Sequence, residues 1–228
     1  MAGVSVVTAE TDLLFTIAEL KKHLRIDNTD EDDNVLVVLQ SAVHNYVKNY
    51  TKRSLTTQTL KLGIDSIYDA DIPIREGNYV GIDQDITRRS IILPQSPVAS
   101  ITHVKYYDDA DTESTFASSK YYLDSMSVPA RLVLRSGESY PTGLRVANAI
   151  EITYVAGYGN TASVPKDIKN AGLIYAGYLY EHRGDRSFVG LDYNQSVPYL
   201  VTQLLQPYVI RQISTNPYRG TAHYGGMI

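Results

Sequence analysis

The sequence predicts an α+β fold: a helical bundle built from the N- and C-terminal segments, with an antiparallel β domain inserted between them. Three observations lead there. Apolar residues recur at helical spacing before residue 55 and again after residue 159. Between these stretches, short runs rich in Val, Ile, Thr and Tyr are separated by Gly, Pro and Asp turns. No helical crossover lies between the runs, so a parallel sheet is not expected. The expected division is residues 1–55 and 159–208 for the helical bundle, 56–158 for the inserted β domain, and 209–228 for an extended C-terminal tail.

Each element has a local reason. Thr16-Ile17-Ala18-Glu19 is a capping-box sequence: the Thr16 hydroxyl accepts from the Glu19 N–H, and the Glu19 carboxylate reaches back to the Thr16 N–H. A short helix to about Leu24 follows, with Ile17, Leu20 and Leu24 on one stripe. The polar run Asp27 to Asn34 then precedes a long amphipathic helix. Leu36, Leu39, Val43, Tyr46, Val47 and Tyr50 share one of its faces. Acids sit at its N-terminus and Lys48, Lys52 and Arg53 near its C-terminus, each sign where the helix dipole favours it.

Strands are expected over Thr57–Ile64, Ser90–Leu93, Ile101–Tyr107, Tyr121–Asp124, Arg131–Leu134 and Ala149–Val155. Ser163-Val164-Pro165 and Ser196-Val197-Pro198 each offer a Ser N-cap with Pro in the first turn of a closing helix. The first of these helices runs to about His182, with Gly184 beyond a basic last turn. Its centre, Ala171 to Tyr180, is apolar nearly all round and must be covered on several sides. Gly172 and Gly177 each cost about 1 kcal/mol relative to Ala in a helix. Close helix–helix approach is the expected compensation. The second closing helix ends near Pro207.

Composition then narrows the function. With no Cys among 228 residues, disulfide scaffolds, thiol catalysis and iron–sulfur clusters are excluded. A formal net charge of −4 argues against a protein whose main task is gripping nucleic acid. The 19 Tyr against 3 Phe and no Trp lean toward wet contact surfaces, although half-buried strands use Tyr as well. No basic, apolar leader opens the sequence, and no stretch reaches the roughly 20 apolar residues that span a bilayer. A soluble protein, intracellular when made, is expected.

Candidate chemistry is thin. A calcium loop starting at Asp27 would need Gly at position six and Glu at position twelve, and Asp32 and Val38 stand there. His23, His44, His103, His182 and His223 share no metal-ligand spacing, so no metal and no cofactor are expected. Gly157-Tyr158-Gly159 lacks the third glycine of a dinucleotide site and reads as a strand-to-helix turn. Acids such as Asp65, Asp69, Asp71, Asp83 and Asp85 could in principle pair for glycoside hydrolysis, but sequence does not show their separation, and without Trp a sugar platform is not expected. No enzyme is expected, and no catalytic residue is assigned.

The tail is more informative. From Tyr193 to Ile228 there is no Asp or Glu. Such a neutral-to-basic, Tyr- and Gly-containing peptide can order on a partner and bury its rings there. Tyr208, Arg211, Pro217, Tyr218, Arg219 and Tyr224 are the candidate partner-binding residues.

Several segments, in order, carry a resemblance. They are Phe15 to Asp27 with the acidic run and long helix, Tyr50 to Leu55, Leu93-Pro94 with Pro97 to Ile101, Val104 and Tyr106, Ile152 to Gly159, Val164-Pro165 with Ile168, and Tyr178 to Arg183. Over about residues 15–208 the chain resembles the head–tail connector proteins of tailed bacteriophages, also called adaptor or head-completion proteins. The resemblance implies a structural virion protein at the neck: a homo-oligomer ring of about a dozen copies below the portal. It implies contacts with the portal protein and with tail or stopper proteins, through charged helix ends and Tyr-bearing strands. DNA would pass through the channel without specific binding, since −4 per copy gives a ring of roughly 48 formal negative charges. The candidate tail residues would then dock on the portal. Two other readings remain at this point: another virion module such as a tail or baseplate subunit, and an enzyme with an unrecognised carboxylate pair.

Overall fold

The computed structural model describes residues 2–26, 33–65, 89–182 and 197–210. Among them the chain is α+β, with eight strands and four α-helices. The order is β1 (Ala2–Thr8), α1 (Ile17–Leu24), α2 (Asp33–Thr51), β2 (Gln58–Ile64), β3 (Ser90–Ile92), β4 (Val98–Tyr107), β5 (Glu113–Phe116), β6 (Tyr121–Asp124), β7 (Arg131–Leu134), β8 (Ile150–Ala156), α3 (Lys166–Glu181) and α4 (Tyr199–Leu205).

The strands form a five-stranded sheet, β1-β2-β8-β4-β5, and a three-stranded sheet, β3-β7-β6, with every pair antiparallel. Directly opposed residues share a face, so register reveals the core side. Leu60 lies opposite Tyr154, Leu62 opposite Ile152, and Val104 opposite both Ile152 and Phe116. These residues meet Ile91, Leu132, Leu134 and Tyr121 of the smaller sheet in one apolar core. Tyr154 is fully buried, and its hydroxyl donates to Pro94 O at 2.9 Å. The phenol thus keeps a partner inside the core, and burial raises its pKa.

A second core belongs to the helices. Leu20 of α1, Leu36, Val43 and Val47 of α2, Ile168 and Ala171 of α3, and Val201 and Leu205 of α4 are buried together. The capping box at Thr16 forms as the sequence predicts: Glu19 N–H donates to Thr16 Oγ1 at 3.2 Å, and Thr16 N–H to Glu19 Oε2 at 2.8 Å.

Four features depart from the sequence reading. The segment 1–55 is not helical throughout, because Ala2–Thr8 forms β1 and joins the large sheet. This strand exists through its pairing with β2, a contact some sixty residues away that local pattern does not encode. Glu113–Phe116 likewise becomes β5 by pairing with β4. Ser163 does not cap α3: Asn160 captures it first, accepting from Ser163 N–H at 3.1 Å and closing a 3₁₀ turn over Thr161–Ser163. Pro165 then occupies the N-cap position of α3 with no side-chain bond, and Pro198 does the same for α4; Ser196 lies outside the described residues. Finally, the close approach at Gly172 is not made by a helix. A Cβ there would come within 2.4 Å of Leu14 and 3.2 Å of Phe15, both in the segment before α1. Gly177 does face α1, at ordinary contact distance from Leu24 and His23.

Candidate partner-binding site

The exit of the C-terminal tail is held firmly. After α4 a 3₁₀ turn, Gln206–Tyr208, leads the chain back to the end of α2. Ile210 N–H donates to Thr51 O at 2.9 Å, and Ile210 is buried. Arg53 Nε donates to Tyr208 O, and the Tyr208 hydroxyl donates to Asp167 Oδ2 at 3.0 Å. Partial desolvation, followed by that bond, raises the Tyr208 pKa. Of the six candidate residues, Tyr208 alone lies within the described residues. It is half-buried, with its hydroxyl already engaged, so it offers a partner ring surface rather than a free phenol. Arg211, Pro217, Tyr218, Arg219 and Tyr224 lie outside the described residues, as does the acidic run from Asp27 to Asp32.

Around this exit, a buried polar network ties helices to sheet. Glu10, between β1 and α1, sits at its centre. His44 Nε2 is 3.1 Å from Glu10 Oε2, Lys48 Nζ pairs with Glu10 Oε1, and the Thr56 hydroxyl lies 2.8 Å from Glu10 Oε2. Lys48 also donates to Gln58 Oε1 at 3.0 Å, and Gln58 Nε2 donates to Ser54 Oγ at 2.6 Å and Gln95 Oε1 at 3.1 Å. His44 Nδ1 accepts from Leu14 N–H at 3.1 Å, which leaves the ring proton on Nε2, facing Glu10. Lys48 stands in the last turn of α2, as the dipole reading has it, and serves this network as well. Sequence reasoning missed the cluster. The available signal was Gln40, His44 and Lys48, polar residues four apart beside the apolar face of α2.

Burial alone would raise the Glu10 pKa. The bonds from His44, Lys48 and Thr56 outweigh it and bring the carboxyl from 4.5 down to about 2. The sign follows from linkage: a carboxyl with a depressed folded-state pKa contributes stability above its unfolded pKa and loses it as pH falls through the folded one. The Glu10 side chain is 11% exposed. The contribution is therefore about 3 kcal/mol, lost between about pH 5 and 2. Thermal melts at pH 7 and pH 3 check this: Glu10→Gln should lower the melting temperature at pH 7 and narrow the gap between the two.

Glu19, Lys22, His23, Lys169 and Leu173 line a shallow groove between α1 and α3, and Lys169 Nζ sits 2.6 Å from Glu19 Oε1. Among the described residues, no group of three or more His, Cys, Asp or Glu is placed to hold a metal. No described helix is long and apolar enough to cross a membrane. Of the acids considered for a pair, only Asp65 is described, and it accepts from Asn148 N–H at 2.9 Å. Tyr46 packs on Tyr175 at 4.6 Å, joining α2 to α3, whereas Tyr122 and Tyr199 are exposed.

The chain matches the family model described as "Head completion protein" over residues 13–213. No curated protein matches it. Among solved structures it resembles a chain in the neck of an empty gene transfer agent particle computed with C6 symmetry: TM-score 0.68, 22% identity, covering 94% of this chain and 100% of that one. A chain in the neck of the native particle computed with C12 symmetry gives 0.65 and 23%, covering 94% and 100%. One in the native virion gives 0.66 and 22%, covering 92% and 96%. At these identities the likeness establishes a shared fold. The family match takes in the four described helices, every described strand except β1, the Glu10 partners His44 and Lys48, and the pinned exit at Tyr208, and by it this chain belongs to the head completion protein family.

Proposed function

We propose that the protein is a ring adaptor at the head–tail junction of a phage-like particle. It sits between the portal and the tail or stopper proteins and leaves a channel through which DNA passes. The observation that carries this reading is the family match over residues 13–213, which spans both the helical and the β part of the chain. The fold it shares with chains from gene transfer agent necks supports the location, and the C6 and C12 symmetry of those necks supports a cyclic assembly. In this reading the helical core and the β core act as two units, 1–55 with 159–208 and 56–158, save that β1 is lent to the sheet. The acid-free tail after residue 210 leaves from the pinned exit to dock on the portal through Arg211, Pro217, Tyr218, Arg219 and Tyr224. The protein works by presenting faces and keeping a hole open, not by reaction chemistry.

Imaging of purified particles tests the assignment. The expected result is density for this chain as a ring in the neck, together with DNA-filled, tailless heads when the protein is not made. Particles that join tails normally without it would overturn the reading.

A further inference from the structure

We propose that β1 is the strand through which neighbouring copies join. Its free edge pairs with the free edge of β5 in the next copy, so that the large sheet continues from subunit to subunit. This rests on the ring reading and goes beyond it by naming the interface.

Register supplies the first argument. Val4 lies opposite Leu62 and Val6 opposite Leu60. Opposed residues share a face, so both valines lie on the core side of the sheet. Yet Leu62 is 3% exposed and Leu60 0%, while Val4 is 40% exposed and Val6 56%. The β core cluster takes in residues of β2, β4, β5 and β8 but none of β1, so the apolar inner face runs on past the packed core.

The second argument is composition. Ala2–Thr8 contains no charged residue and no proline. Solitary edge strands are usually guarded by a charge, a proline or a very short length, because bare N–H and C=O groups recruit other strands. A seven-residue, valine-bearing edge without a guard is suited to being covered in an assembly.

The third argument selects the occupant. A closed ring needs two different, complementary patches on each copy. Among the described residues the large sheet has two ends, β1 and β5. Four antiparallel steps separate them, so they run in the same direction, and copies related by rotation would bring them together as a parallel pair. Inner-face residues then align: Phe116 shares the core face with Val104, and Ser114 lies two residues away on the same side. Val4 and Val6 of the neighbour would prolong that face.

The absence of native cysteine makes a clean test. Ser5 and Thr115 are both exposed, on the outer face opposite Lys61 and Lys105. Particles assembled with the double variant Ser5→Cys/Thr115→Cys should, after mild oxidation, give a ladder of chain multimers on a non-reducing gel, and neither single variant should. A ring visible in the neck with no ladder would overturn this interface while leaving the ring reading standing. The absence of any ring would overturn both. Dimers from Ser5→Cys alone, or a crosslink to a different protein, would also overturn it. Val6→Lys gives an independent reading: it should lower the copies per particle at least tenfold with the monomer's melting temperature unchanged. Val38→Lys, at a 69% exposed position on α2, should change neither. Normal incorporation of Val6→Lys would overturn the proposal.

Discussion

Deleting residues 212–228 is expected to abolish the joining of tails to DNA-filled heads while leaving the purified chain folded. The cut falls beyond the last described contacts of the helical core. Ile210 N–H still bonds Thr51 O, Arg53 still bonds Tyr208 O, and Tyr208 still bonds Asp167. Melting temperature should therefore match that of the full chain within about 2 °C, since every described contact of the helical core is kept and changes outside such contacts usually fall within about 0.5 kcal/mol. What the deletion removes is a peptide without a single Asp or Glu, carrying Arg219 and two tyrosines that a partner surface can bury. Charge reversal gives a milder form: Arg219→Glu should reduce joining without abolishing it. Normal joining by the truncated protein, scored as tailed particles in micrographs, would refute docking by the tail.

The largest effect on stability is expected at Gly157. This residue has φ +117°, a conformation in which a Cβ is strained, and it receives the backbone of the strand leading from the helices. A Cβ added here would stand 2.1 Å from Thr56 O and 2.9 Å from Thr57 N. These are backbone atoms and cannot swing aside as a side chain would. They are also tethered, because Thr57 N–H donates to Gly159 O at 2.9 Å and Gly157 N–H to Pro97 O at 2.9 Å. Thr56 in turn holds Glu10, so the displacement would reach the buried network. Gly157→Ala should therefore cost roughly 3 kcal/mol or more, about 10 °C of melting temperature in a chain of this size. Gly137→Ala is the control: its φ is +82° but nothing lies within 4 Å of the added Cβ, so about 1 kcal/mol is expected. Similar melting temperatures for the two variants would show that backbone proximity at Gly157 is not what demands glycine.

The tail and the turn differ in how far residue pattern reaches. The capping box at Thr16, the apolar face of α2 and the strands Tyr121–Asp124 and Arg131–Leu134 stand where local spacing puts them, because each depends on residues a few positions apart. The Gly157-Tyr158-Gly159 turn was legible for the same reason, though not the 2.1 Å approach that makes its first glycine necessary. Ser163 shows the limit of a local rule. Asn160, three residues before it and not singled out by the pattern, closes its own turn first.

Residue spacing and composition establish the α+β class, the helices and most of the strands, and exclude cysteine chemistry, since these signals act over a few turns of chain. Long-range contacts make residues 2–8 a sheet edge, bring Glu10, His44, Lys48 and Thr56 into one cluster, and hold Ile210 at the end of α2. Those features join residues tens to more than a hundred positions apart. Their stability comes from burial and pairing that exist only once both partners are in place.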